Sequence, residues 1–310
     1  MNIIRWDGSK ISEPGIYVGI DMKSYHGDLC VGPSISSSGL RKIFNNSLEE
    51  YFDSSYLNPN RDEDDDNQNF IFGRACHFLL LGEARFKDHF VVRPEKIGAQ
   101  AWNGNATVCK EWLAHCEGLG LTVLKPADIL AIRGMAEGLQ KNALVKQGIL
   151  NGLIEHSIIY RDEETGIWVK CRPDSIPTDA LDCSDLKSMA DVSDASIDKS
   201  IGDYLYNVQG ALVGQAFRAV VGREMSSFSL VCSRKTRPFS ARVKTLKPAD
   251  LELGEQIIHA SLRLFADALA SGKWPGPGGE QTDASYAEIT PWRRRDIEYR
   301  LELLKMGQTP

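Results

Sequence analysis

The sequence predicts an α/β protein: a mixed β-sheet flanked by helices, with a helical elaboration at its N-terminal side. Three observations predict it. Segments with the apolar spacing of helices lie toward both ends of the chain. β-rich runs broken by short turns are confined to the middle, and one long helical run separates the first of these strands from the last. Strands interleaved with helices in this way call for a sheet covered on its faces.

With 310 residues the chain can bury one large core, or a core with a smaller satellite. Its composition of 42% hydrophobic, 25% charged and 8% aromatic residues is that of a soluble globular protein. No apolar run approaches the roughly 18 residues of a membrane helix, and the N-terminus lacks a basic-then-apolar signal layout. Neither export nor membrane insertion is expected. The seven cysteines are an odd number with no CxxC pair, which argues against a zinc ribbon or a disulfide framework and leads to the expectation of a cytoplasmic protein. A net charge of −6 argues against coating nucleic acid with the whole surface, but leaves room for a locally basic groove.

In chain order, residues 1–70 read as an N-terminal segment packed on a core over 71–310, the whole forming one domain. Ser34, Ser36, Ser37 and Ser38 lead into Leu40-Arg41-Lys42-Ile43-Phe44, a capped helix start. The acids Asp62 to Asp66 read as a solvated surface loop, since an EF-hand would need a central glycine and a terminal glutamate. From Ile71, the residues Phe72, Ala75, Cys76, Leu79 and Leu80 have helical spacing, with His77 among them. Lys125-Pro126-Ala127-Asp128 opens a helix with proline in its first turn and an acid at the positive end of the dipole. Its apolar face is expected to run from Ile129 to Leu144. Lys247-Pro248-Ala249-Asp250 repeats the signal ahead of Ile257, Ile258, Leu262 and Phe265. Between them, Glu155–Arg161 and Ile167–Arg172 read as a hairpin, with a third strand of the same meander over Leu181–Lys187. A helix over about Tyr204–Val221 follows, then strands at Phe228–Cys232 and Ala241–Thr245.

The chemistry-bearing stretch is Cys171-Arg172-Pro173-Asp174, followed eleven residues after Asp174 by Asp185-Leu186-Lys187. Asp174 falls where a strand stops at a proline, and Asp185 and Lys187, two apart on a strand, point to one face. Two carboxylates on adjacent strands can hold a hard divalent cation. A lysine beside them can orient water or neutralise charge on a phosphate. Together they equip a site for metal-assisted phosphodiester hydrolysis. The alternative is a turn-capping Asp174 with an exposed Asp185–Lys187 ion pair. D-x-K is a cheap motif, and the chain has a second copy at Asp21-Met22-Lys23.

The flanking residues add a family resemblance. Tyr25-His26-Gly27-Asp28 before the serine cluster, the helix Phe72-Gly73-Arg74-Ala75-Cys76-His77-Phe78-Leu79-Leu80-Leu81-Gly82-Glu83, and the order Glu155, Pro173-Asp174, Asp185-Leu186-Lys187 together resemble the PD-(D/E)xK nuclease superfamily. More narrowly, they resemble the RecE-type (exodeoxyribonuclease VIII-like) exonucleases of phages and prophages. The resemblance spans about residues 20–295 and is specific from Gly73 to Gln209. It implies a restriction-endonuclease-like fold with Asp174, Asp185 and the Leu186 backbone carbonyl as ligands of Mg2+, Mn2+ being able to substitute. Lys187 is implied as the water-orienting or charge-stabilising residue, and Glu155 and His77 as catalytic residues and further candidate ligands. His156, on the opposite strand face, is not expected to take part.

The family's Q-x-x-x-Y helix is incomplete here: Gln209 is followed by Val213, and Tyr206, one turn earlier, stands in as a candidate. By that motif the resemblance implies Gln209 and Tyr206 as candidate DNA contacts; between Arg218 and Lys247 there are eight bases and one acid, Glu224, so Arg234, Lys235 and Arg237 are further candidates, with Arg293-Arg294-Arg295 another basic cluster. Trp102 and Trp112 read as core or interface aromatics.

The implied activity is exonucleolytic hydrolysis of linear double-stranded DNA from the 5′ end, leaving 3′ single-stranded tails for recombination. Internal or single-strand cleavage, and non-catalytic end binding, are the alternatives. An iron–sulfur branch is disfavoured because no cysteine follows Cys232. The implied partners are DNA ends, a homo-oligomeric ring (a tetramer) and a single-strand annealing protein. Met1 and the early family-like pattern lead to the expectation of a self-contained short form.

Overall fold

Residues 2–62, 68–82, 86–178, 181–279 and 282–309 are described by a computed structural model. Most of the acidic run, residues 63–66, and Glu83 of the helix motif lie outside them. The N-terminal elements are β1 (Ile3–Arg5), β2 (Gly15–Val18), α1 (Met22–Tyr25), β3 (Ser34–Ser36), α2 (Ser37–Asn45) and α3 (Leu48–Ser54). Next come α4 (Gln68–Leu80), α5 (Phe86–His89), β4 (Phe90–Val92), β5 (Lys96–Ile97), β6 (Gln100–Ala101), α6 (Thr107–Gly118), β7 (Thr122–Leu124), α7 (Pro126–Leu139) and α8 (Ala143–Lys146). The middle holds β8 (Leu153–Ile154), β9 (Ser157–Arg161), β10 (Trp168–Cys171), β11 (Ser175–Ile176), β12 (Asp182–Met189), α9 (Asp194–Asp203) and α10 (Tyr206–Val221). β13 (Ser227–Arg234), β14 (Ala241–Thr245), α11 (Pro248–Ser271) and α12 (Pro291–Lys305) complete the order.

The mixed α/β architecture is the one expected, with one correction to the strands. β9 and β10 form the hairpin, but they belong to a five-stranded sheet of order β1-β2-β9-β10-β3, whereas β12 belongs to a second, of order β14-β13-β12-β11-β8. The three-strand meander is therefore divided between two sheets. The two-residue strand β11, invisible to periodicity, carries the chain across: it pairs antiparallel with both β12 and β8. β12 pairs in parallel with β13 along its whole length, from Asp182 opposite Ser227 to Met189 opposite Arg234.

One apolar core joins both sheets to α2, α10 and α11, through Ile35, Leu40, Ile158, Phe217, Phe228, Ile258 and Phe265. α10 alone buries nine residues, which fixes its position firmly, since each fully buried large apolar side chain contributes roughly 1.5–3 kcal/mol. Smaller clusters lie under α4 and α7 (Ala75, Cys76, Ile132, Met135) and beneath β12 (Leu139, Leu186, Val231). α7 ends at Leu139, so Leu144 does not extend its face but belongs to α8. Gly138 is required by close approach: a Cβ there would fall 1.8 Å from the Phe239 carbonyl oxygen of the β13–β14 turn. All seven cysteines are buried, unpaired thiols.

The chain divides into two units, Met1–Trp274 and Pro275–Pro310. Within the first unit, β1, β2 and β3 belong to the same sheet as the hairpin. The second unit carries α12, in which no residue is buried. Among the described residues no helix is long and apolar enough to cross a membrane.

Candidate metal and phosphate site

β12 delivers Asp185 and Lys187 to one face, as strand alternation requires. Asp185 is 1% exposed, and the Lys187 side chain, 19% exposed, forms an ion pair with its Oδ2. The alternative of an exposed surface pair is thereby excluded. Gln209, in the first turns of α10, clasps both: its Nε2 donates to Asp185 Oδ1 at 2.9 Å, and its Oε1 accepts from Lys187 Nζ at 3.1 Å. The Lys187 ammonium also lies 4.6 Å from the centre of the Tyr206 ring. Gln209 and Tyr206, expected as DNA contacts, are thus engaged with Lys187 in this site. Burial and the Asp174 charge push the Asp185 carboxyl above its usual range, against the opposing pull of Lys187. Burial pulls the Lys187 ammonium down, but Asp185 and Asp174 outweigh it and leave it above its ordinary value.

Asp174 is held from the other side. The proline ends β10, and the Leu186 N–H donates to Asp174 Oδ2 at 2.5 Å, tying the Pro-Asp turn to the D-x-K strand. Glu155 is not on a strand, contrary to expectation. It sits between β8 and β9 at φ 54°, a left-handed conformation that few non-glycine residues adopt, and its N–H bonds to the Asp174 carbonyl at 3.3 Å. This kink turns Glu155 toward the cleft. His156 bonds the Ile154 carbonyl through Nδ1 at 2.7 Å and lies outside the cluster.

His77 comes from α4 with its Nδ1 at 3.1 Å from Asp174 Oδ1 and 3.8 Å from Glu155 Oε1. Its Nε2 lies 3.1 Å from the Leu186 carbonyl; because a carbonyl only accepts, that nitrogen carries a proton. Burial opposes its charge, but Asp174 and Glu155 prevail and raise its pKa well above the ordinary value.

His77, Glu155 and Asp174 offer ligand atoms within 4.8 Å of one another. Two carboxylates and one imidazole, with buried Asp185 behind them, form a donor set that can hold a divalent metal ion. The Leu186 carbonyl, the implied backbone ligand, faces the same cluster but is held by His77.

Sequence reasoning missed the opposite wall. The cluster opens into a cavity of about 210 Å³ lined also by Ser36, Ser37, Ser38, Arg41 and Arg172. Arg41 donates to the Tyr204 carbonyl at 2.7 Å, and burial lowers its pKa. Arg172 is fixed by Ser157 Oγ (2.8 Å) and the Ile20 carbonyl (2.9 Å), with its guanidinium 4.5 Å above the Tyr25 ring. The signal was present in the serine-rich helix start with a base four residues after Ser37, but local reading sees only a cap.

Arg234, Lys235 and Arg237 lie at the end of β13 and in the turn to β14, and none lines the cleft. Lys235 stands 5.7 Å over the Phe72 ring. The basic surplus from Arg218 to Lys247 is smaller than its sequence suggests, because distant acids reach it. Arg218 pairs with Glu224 and Glu255, while Arg242 and Lys244 both pair with Asp194. Trp102 and Trp112 pack edge to face at 5.4 Å, and the second D-x-K copy is a helix cap, with Asp21 accepting from Ser24 N–H.

A family model described as "PDDEXK-like domain of unknown function (DUF3799)" matches residues 36–284. Among solved structures, one from Eubacterium rectale described as a "Putative exonuclease" matches with a TM-score of 0.55 and 14% identity, covering 84% of this chain and 92% of that one. At that identity the likeness concerns fold alone. No curated protein matches the chain.

Proposed function

The chain belongs to the PDDEXK-like DUF3799 family, and from that premise we propose that it is a metal-dependent exonuclease acting on linear double-stranded DNA. One observation carries the reading: Asp174, Glu155, His77 and Gln209 line one cleft, and Gln209 ties them to the buried Asp185–Lys187 pair behind it. The narrower RecE-type likeness, and with it 5′-to-3′ polarity and 3′ tails for strand annealing, rests on the sequence motifs. A homo-oligomeric ring and an annealing partner belong to the same proposal.

Asp174, Glu155 and His77 would hold the divalent ion, with Asp185 completing the negative field. When bound, Mg2+ supplies charge neutralisation for the scissile phosphate and acidifies a water. Lys187, held by Gln209 and Asp185 beside the cluster, would stabilise charge that develops on the phosphate. Arg41 and the Ser36–Ser38 turn form the facing wall, suited to orienting the strand.

Release of nucleotides from blunt, end-labelled duplex is measured beside closed circular DNA, with and without magnesium. The proposal expects magnesium-dependent release from the linear duplex and an intact circle. Nicking of the circle would make it an internal nuclease, and binding of ends without release would make it a non-catalytic end binder.

A further inference from the structure

A second cavity, of about 420 Å³, adjoins the cleft. The two share Ser36 and Ser38, whose hydroxyls hydrogen-bond to each other at 2.8 Å. Lys42, Arg61 and Lys170 line the second cavity, and no carboxylate does among its described residues. Lys170 is the unusual member. It lies on β10 opposite Ser36 of β3 and is 3% exposed, yet has no ion pair among the described residues. Its ammonium stands 5.3 and 5.7 Å from the Tyr25 and Tyr56 ring centres and reaches the Gly27 carbonyl only at 3.5 Å. Asp28, the nearby acid that supports its charge, is bound to Lys10 at 2.5 Å.

A buried ammonium without a counter-charge is costly, and nothing in the cleft chemistry uses this one. Burial brings its pKa down to about 8, so it still carries its proton for the most part at neutral pH. Around it stand neutral hydrogen-bonding groups, with Ser38 on the shared wall and Ser54 bound to Lys42 at 2.7 Å. Cations on the walls, hydroxyls between them and, among the described residues, no acid make a lining that an anion completes. The volume suits one small molecule rather than a polymer segment.

We propose that this cavity is a nucleotide subsite, in which Lys170, Lys42 and Arg61 provide the counter-charge for a nucleotide phosphate. The source of that nucleotide, though not the recognition of its phosphate, rests on the nuclease reading. The occupant is either one nucleotide of the bound strand, lodged past the Ser36–Ser38 wall, or a released monophosphate.

Binding is measured by calorimetry on the full chain in chelator, with deoxyadenosine monophosphate, inorganic phosphate and a short single-stranded oligonucleotide as separate probes. The expected result is saturable binding of the monophosphate or the oligonucleotide at one site per chain. Lys42→Ala/Arg61→Ala weakens it by roughly tenfold or more with Tm unchanged, and Lys170→Met weakens binding to a similar extent. Lys141→Ala/Lys146→Ala, which removes equal exposed charge outside the cavity, changes it less than about twofold. Binding of the free monophosphate identifies a released nucleotide as the occupant, and binding of the oligonucleotide alone identifies the strand. No saturable binding of either, or equal losses in the two double variants, overturns the proposal. If Lys170→Met does not fold, Lys42→Ala/Arg61→Ala decides. No cleavage is read and no metal is present, so a failed nuclease reading leaves this result standing, and the converse holds.

Discussion

His77 Nε2 lies 3.1 Å from the carbonyl oxygen of Leu186, the backbone atom implied as a metal ligand. The same ring touches Asp174 through Nδ1, so one imidazole spans a backbone acceptor and a carboxylate of the cluster. A residue in that position is a ligand or the positioner of one. His77→Ala is expected to weaken Mn2+ binding by roughly ten- to a hundredfold. Isothermal titration of the metal checks this. Unchanged or tighter binding would mean that the ring merely fills the site until the ion arrives.

Asp185 and Lys187 form a largely buried pair, and breaking such a pair leaves an uncompensated charge. Asp185→Ala should therefore destabilise the metal-free protein by about 2–3 kcal/mol. Asp185→Ala/Lys187→Met should recover much of that loss, giving a coupling of at least about 1 kcal/mol in a urea-denaturation cycle. Strictly additive effects would show that the two charges are independently solvated.

Gln209 bonds both members of that pair. Gln209→Leu should lower kcat by roughly tenfold or more while KM changes little, because the lost contact orients Lys187 rather than grips DNA. A raised KM with kcat intact would restore the sequence expectation that Gln209 contacts the nucleic acid.

Lys170 makes stability depend on pH in a stated direction. With a folded pKa of about 8 against roughly 10.4 unfolded, the unfolded chain holds more protons between those values, so stability gains as pH rises through the window. Lys170→Met should therefore be the more stable protein near pH 7. Its advantage should shrink by roughly 1–3 kcal/mol by pH 10. Urea melts of both proteins at the two pH values test it, and a constant difference contradicts it.

Local periodicity carried the hairpin, β12, α10 and β14 into the sequence reading, because each is specified by its own side-chain alternation or apolar stripe. Lys187 and Asp185 were legible for the same reason, since residues two apart on a strand must share a face. Glu155 was misread because the β-prone Ile158, Ile159 and Tyr160 draw the strand back to it. Its left-handed kink is imposed by the short pairings of β8 with β11 and by its bond to Asp174, all of them non-local. Arg41 escaped notice because its place in the cleft depends on β3 joining β10, more than a hundred residues away. The basic stretch was overread for the converse reason: Asp194 and Glu255, outside that window, neutralise part of it.

The central claim is that this cluster performs metal-dependent phosphodiester hydrolysis, and Asp174→Asn tests it with the least disturbance. The amide oxygen can still accept from the Leu186 N–H, so the turn should hold while the carboxylate charge is lost. The measurement is the single-turnover cleavage rate of end-labelled linear duplex in magnesium, on protein whose Tm matches the wild type. The account predicts a fall to the metal-free background; a rate near that of the wild type would contradict it.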